Sequence, residues 1–173
     1  MQESNNNLAM PGTPELPRGA CCGCGVCAAV CPAQCIDMVP DGMGFPRPRV
    51  RNELCVSCRK CMSVCPSLHV QQDKDAELGS YWARSAKNED LATSSSGGVF
   101  GLLADEVLAE SGVVYGAAWS EDWRVSHVRA CDAADVMRLR KSKYVQSSIG
   151  SKIYKSVKND LSRGKKVLFS GTG

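Results

Sequence analysis

At 173 residues and 43% hydrophobic, the chain is long enough for one ordinary domain, or for a small metal-stapled module joined to part of a larger one. Its net charge of +3, from 21 basic and 18 acidic residues, is too even to argue for a nucleic-acid partner, and no stretch reaches membrane-spanning length. The opening run MQESNNNLAMPGTPELPRG has no basic segment followed by an apolar one, so no secretory signal is expected, residues 1–17 read as a disordered N-terminus, and the chain reads as cytoplasmic.

All but one of the eleven cysteines fall between Cys21 and Cys65, and in a reducing compartment that density points to metal or redox chemistry instead of disulfides. CCGCGVCAAVCP holds Cys21, Cys24, Cys27 and Cys31 before Pro32, the spacing CxxCxxCxxxCP. CVSCRKCMSVCP repeats it 34 residues later, with Cys55, Cys58, Cys61 and Cys65 before Pro66. Three thiolates at i, i+3 and i+6 on a tight loop can take three corners of an iron–sulfur cube, while the fourth, on the helix that follows, points away and serves the other cube. One [4Fe–4S] centre is therefore expected on Cys21, Cys24, Cys27 and Cys65, and the other on Cys55, Cys58, Cys61 and Cys31. Gly23 and Gly25 suit a backbone wrapped around a cluster, and Pro32 and Pro66 redirect the chain after each fourth ligand.

Structural zinc is the other reading of four cysteines with CxxC spacing. Zinc ribbons, however, usually separate their pairs by a longer stretch, whereas here four cysteines crowd into eleven residues, twice. Cys22 breaks the spacing and is the spare sulfur. With Cys35 and Cys131 it reads as a small buried hydrophobe, although Cys22 and Cys35 stand close enough to the ligands in sequence to affect cluster packing or oxygen sensitivity. His69 and His127 have no partner at ligand spacing and read as structural or surface residues.

Residues 18–68 resemble the bacterial dicluster ferredoxin in eight cysteines and two prolines, with CIDMVPDGMGF and RPRVRNELC as the turn and short strands between its halves. That implies an α+β ferredoxin-like dicluster module. The polar segment that follows reads as a linker over residues 69–79.

From residue 80 a regular alternation begins. SYWARSA reads as a short strand, followed by the loop TSSSGG and the helix VFGLLADEVLAESG, in which Val99, Leu102, Leu103, Val107 and Leu108 recur at helical spacing and Gly112 supplies a stop. VVYGAAW and VSHVRACD read as strands, AADVMRLRKSKY as a short helix or loop, SIGSKIYKSVKNDLSRG as an amphipathic helix and KKVLFSG as a buried strand. This succession argues for α/β layering with some parallel strands. Ligands in such folds settle beyond the strand ends, where loops meet helix N-termini. Ser94, Ser95, Ser96, Gly97 and Gly98 suit an anion there, or simply cap and turn the chain. Lys141 and Lys143 can bind phosphate or polarise a carbonyl and Tyr144 can stack on a flat ring, or the basic turn is solvated.

SSSGGVFGLLADEVLAESGVVYGAAW and RKSKYVQSSIGSKIYKSVKNDLSRGKKVLFSGTG resemble the beta-subunit family of the deazaflavin-coenzyme-reducing hydrogenases and formate dehydrogenases, over about residues 80–173. Many of its members carry a dicluster ferredoxin module in front. The resemblance implies part of an α/β flavin-binding domain, with FAD exchanging electrons with the iron–sulfur clusters and hydride passing to or from an 8-hydroxy-5-deazaflavin or another organic substrate. It also implies a redox partner protein or subunit. Cofactor and substrate contacts fall on Ser95, Ser96, Gly97 and Gly98, on Lys141, Ser142, Lys143, Tyr144 and Gln146, and on Ser170, Gly171 and Thr172; it assigns no catalytic residue. Family chains usually continue past the SGT turn, so a C-terminally truncated domain is expected. An iron–sulfur flavoprotein oxidoreductase, present as a fragment, is the first functional expectation, and a non-catalytic ferredoxin-type electron carrier or docking subunit the alternative.

Overall fold

The structure is a computed structural model that describes residues 20–69 and 79–171. The N-terminal segment 1–17, most of the 69–79 linker and Thr172 lie outside the described residues. The chain divides into two compact units, Met1–Gln72 and Asp73–Gly173.

Unit 1 uses one short piece of chain twice. The loop through Cys21 and Cys24 runs into α1 (Val26–Val30), which carries Cys27, and the loop through Cys55 and Cys58 runs into α2 (Lys60–Ser63), which carries Cys61. The repeat extends to the dihedral angles. Gly23 and Gly25 have φ of 72° and 75°, and their counterparts one repeat later, Ser57 and Arg59, have 51° and 58°. Glycine reaches this left-handed region freely, while an L-residue with a side chain is opposed by about 1 kcal/mol or more. The second copy therefore keeps against resistance the curvature that the first adopts without it.

Between the copies, β1 (Ile36–Pro40) and β2 (Pro46–Val50) form an antiparallel hairpin with Ile36 opposite Val50. Asp41 builds the turn: its carboxylate accepts from the N–H groups of Met43 and Phe45, both at 2.9 Å, and from Arg47 Nε at 3.0 Å. The guanidinium of Arg47 holds that carboxyl below its ordinary range and also donates to the carbonyl of Cys21, tying the hairpin to the first cysteine loop. Ser67 Oγ donates to the carbonyl of Ala20 at 2.7 Å, which brings the end of the second copy to the start of the first. The interior between these parts is largely sulfur: Cys27, Cys35 and Cys61 are buried with Ile36, bordered by Cys31, Cys55 and Met62.

Unit 2 is a three-stranded mixed sheet in the order β4-β3-β5. β3 (Val113–Trp119) is antiparallel to β4 (Val125–Ala130) and parallel to β5 (Val167–Phe169). α3 (Asn88–Ala92) and α4 (Val99–Ala109) precede the sheet, and α5 (Ala133–Leu139) and α6 (Ser151–Ser162) connect β4 to β5. Alternation along β3 separates two faces. Val114 and Ala118 pack on Ala104 of α4 and on Val136 and Leu139 of α5, whereas Tyr115 turns the other way to Asp160 of α6. Helices thus cover both faces, the α/β layering expected.

Two expectations are corrected, those for SYWARSA and KKVLFSG, and one helix packs by unexpected residues. SYWARSA is irregular, and the helix α3 follows it. Tyr81 and Trp82 are 92% and 86% exposed, so this run offers no face to a sheet despite its aromatic content. α4 forms where the spacing predicts, but Gly101 and Ala104 are its buried residues, while Val99, Leu102 and Leu103 are exposed. Small residues let α4 approach the sheet and let Arg140 lie across it: a Cβ at Gly101 would come within 2.8 Å of the Arg140 guanidinium. KKVLFSG yields only the short β5, half-buried because it stands at the edge of the sheet. No described helix is long and apolar enough to cross a membrane.

Gly112 ends the α4 connection by close approach. A Cβ there would sit 2.6 Å from the Val107 carbonyl oxygen and 2.8 Å from that of Lys166, and both are backbone atoms that cannot swing aside. Gly112→Ala is therefore expected to destabilise unit 2 by about 1–3 kcal/mol, read as a lower urea midpoint with an unchanged slope.

Candidate functional site

Cys31, Cys55, Cys58 and Cys61 line one partly open pocket. The second loop and α2 supply three of them, and the chain leaving α1 supplies Cys31. Ile36, Val50 and Val56 make much of the remaining wall apolar. Among the described residues no group of three or more His, Cys, Asp or Glu could hold a single metal ion. Three cysteines of the second motif and the last of the first thus share one pocket, the donor set of an iron–sulfur centre.

The sulfur of Cys31 lies in a small concavity. Burial pushes its thiol up, but the backbone N–H and the thiol of Cys35 and the N–H groups of Ala33 and Gln34 outweigh that and hold it below the ordinary cysteine value. Gln34 adopts φ of 49°, the local fold that turns successive N–H groups toward an anion. Cys61, which lines the same pocket, is pushed up by burial.

A fifth cysteine shares this cavity. Cys35 is 2% exposed, lines the wall and places its Sγ 3.4 Å from that of Cys31. It is buried as expected of a small hydrophobe, yet it touches expected ligands, and its position four residues after Cys31 was the available signal. Cys22 and Cys131 correct the same expectation, because both are exposed; Cys131 accepts a hydrogen bond from Arg129.

The first cysteine loop gathers its own set. Burial pushes the Cys27 thiol up to about 11, with Cys24, Cys21 and Cys61 adding to the effect. Cys24 is raised by burial and by Cys22 and Cys21. The Gly23 N–H donates to Cys21 Sγ at 3.3 Å. Cys65, half-buried, stands two residues before Ser67, whose bond to Ala20 carries this end of the chain to the first loop.

In unit 2, α4 leads directly into β3 and lies back along it, so its N-terminus is at the carboxyl end of the parallel pair β3 and β5, where α/β folds bind ligands. The glycines there have physical reasons. A Cβ at Gly97 would meet the Ala83 carbonyl oxygen at 2.5 Å, and Gly98 has φ of 76°. No side chain caps α4 at Gly98; Ser94 instead donates back to the Asp90 carbonyl at 2.7 Å. Ser95 Oγ accepts the Ser142 N–H at 2.7 Å, so the two segments that sequence reading singled out meet here. Lys143 Nζ donates to the carbonyls of Arg138, Leu139 and Arg140 at 3.1, 2.8 and 2.7 Å, satisfying the end of α5. Lys141 lies at φ of 67°, and Ser96, Tyr144 and Gln146 are exposed.

His127 closes this region. Its Nε2 lies 3.0 Å from the Ser170 carbonyl oxygen and its Nδ1 2.8 Å from Ser147 Oγ. A carbonyl only accepts, so Nε2 carries the proton and Nδ1 accepts from the serine hydroxyl. The ring stacks on Phe169 at 5.0 Å, burial lowers its pKa, and Gly171 packs against it. One residue thereby pins the 141–148 loop to the chain leaving β5. Arg140, which sequence reading passed over, is held between Thr93, at 2.6 Å, and Asp90, at 3.7 Å. A solitary half-buried arginine has no periodic signal by which to find it.

Residues 20–68 match the family described as the 4Fe-4S dicluster domain. No curated protein matches the chain. Unit 1 thus contains a dicluster ferredoxin-type domain, whose chemistry is electron transfer through bound iron–sulfur clusters.

Proposed function

We propose that the chain is the iron–sulfur and flavin-binding part of an oxidoreductase. Cys21, Cys24, Cys27 and Cys65 hold one [4Fe–4S] centre, and Cys55, Cys58, Cys61 and Cys31 hold the other. The observation that carries this assignment is the single cavity whose wall unites three cysteines of the second motif with the last of the first. The clusters supply one-electron steps and FAD converts them to hydride chemistry on a deazaflavin-like or other organic substrate. A redox partner protein delivers or removes the electrons.

For the flavin, the support is the meeting of Ser95 with Ser142 at the positive end of α4. Gly97 and Gly98 leave backbone there without side chains, which suits the phosphates of FAD. Ser170 and Gly171, held by His127, border the same carboxyl edge of the sheet. Lys143 favours a second reading, a non-catalytic ferredoxin-type carrier or docking subunit, because its ammonium is engaged by three carbonyls.

Iron, sulfide and acid-released flavin, measured on the anaerobically purified chain, decide between these readings. About eight irons and eight sulfides with bound FAD are expected. The same metal content without flavin leaves the electron carrier, and two zincs without sulfide overturn both readings.

A further inference from the structure

The two cysteine motifs agree in ligand spacing and in backbone, and they part four residues beyond the fourth cysteine, where Cys35 follows Cys31 but His69 follows Cys65. His69 is exposed, with Nε2 3.0 Å from the Met62 carbonyl oxygen. Cys35 instead lies inside the wall of the cavity that four other cysteines line, with its Sγ 3.4 Å from Cys31 Sγ and within interaction range of Cys55. Its carbonyl accepts the Arg51 N–H at 2.7 Å and Ile36 beside it opens β1, so the backbone under the thiol is fixed. At 2% exposure, water does not compete for it.

Cysteine ligates iron as the thiolate, without its proton. If Cys31 and Cys55 are ligands, the one hydrogen left at this three-sulfur contact is that of Cys35, and it can only be donated. Hydrogen bonds to the sulfurs help set the potential of such centres, because a donor stabilises the reduced, more negative state more than the oxidised one. We infer that Cys35 is a positioned hydrogen-bond donor to the Cys31 sulfur, raising the reduction potential of the centre on Cys31, Cys55, Cys58 and Cys61, with no cysteine at the matching position of the other motif. This inference rests on the ligand assignment above.

The test is a potentiometric titration, followed by electron paramagnetic resonance, of the full chain with both centres in place. Cys35→Ala and Cys35→Val both remove the donor, and valine also keeps the space filled should alanine fail to assemble. Each should move one centre to a more negative potential and leave the other where it was. Cys35→Ser keeps a donor and should return that centre most of the way to the wild-type value. Unchanged potentials in the alanine or valine protein, or a serine protein shifted as far as they are, would overturn the inference and make Cys35 a packing residue. Iron and sulfide counts on the wild type keep the two ideas apart. Fewer than about eight irons defeats the ligand assignment itself, whereas full occupancy with no shift defeats only the role of Cys35.

Discussion

Replacing Cys65 by alanine is expected to remove the centre built by the first motif and to spare the one built by the motif in which Cys65 stands. Bound iron should fall from about eight to about four per chain. The reason is the crossed arrangement, in which the Ser67–Ala20 hydrogen bond carries the chain just beyond Cys65 to the residue preceding Cys21. Adding Cys24→Ala should cost no further iron, since both substitutions strike one centre, whereas adding Cys55→Ala should remove the rest. Such grouped non-additivity is the signature of residues that act as a unit. If Cys65→Ala and Cys55→Ala together cost no more than either alone, each motif serves its own cluster and the crossed assignment is wrong.

Asp160→Ala should be the most damaging single substitution among the buried polar groups of unit 2. The carboxylate is 3% exposed and accepts from Tyr115 Oη at 2.6 Å, Arg129 Nε at 2.6 Å and Arg129 Nη2 at 2.9 Å. Removing the buried carboxylate strands the Arg129 charge, itself 31% exposed, at a cost of about 3 kcal/mol, the lower end for a buried pair, while Tyr115→Phe, which loses a single hydrogen bond, should cost about 1–2 kcal/mol. All three tryptophans, Trp82, Trp119 and Trp123, lie in this unit, so denaturation followed by their fluorescence reports on it alone. Arg129 holds the Asp160 carboxyl down at about 2, against burial, from an ordinary 3.8. A depressed acid contributes its stability in full above the ordinary value and loses it as pH falls toward the depressed one. The gap between wild type and Asp160→Ala should therefore be constant from neutral pH to about 4 and narrow, without vanishing, between about 4 and 2.

The dicluster domain was legible because its chemistry imposes spacing. Three sulfurs at i, i+3 and i+6 suit one cube, and the pattern occurs twice within the residues that match the dicluster family. The strands β3 and β4 and the helix α6 were legible for the ordinary reason that burial leaves a period of 2 or 3.6. The failures share a cause too. α4 forms where helical spacing predicts it, yet its buried residues are Gly101 and Ala104, because the sheet beneath and the Arg140 guanidinium beside it leave room only for small ones. Ser57 and Arg59 carry the left-handed backbone of Gly23 and Gly25 without the glycines that would announce it. His127 and Cys35 act through neighbours distant in the chain or hidden in a wall, and a lone residue type shows neither.

The sulfur-filled interior of unit 1 has a consequence for how the chain lives in a cell. Among the described residues, three of its four buried core residues are cysteines, two of them ligands in the proposed assignment, whereas the core of unit 2 is hydrocarbon from Ala104 to Leu139. Metallation and folding of unit 1 then form one equilibrium, displaced by free iron and sulfide through mass action, while unit 2 draws on apolar burial that no metal supply alters. A shortage of iron becomes a local unfolding confined to one end of the polypeptide, and proteolytic sensitivity there becomes a gauge of cluster supply.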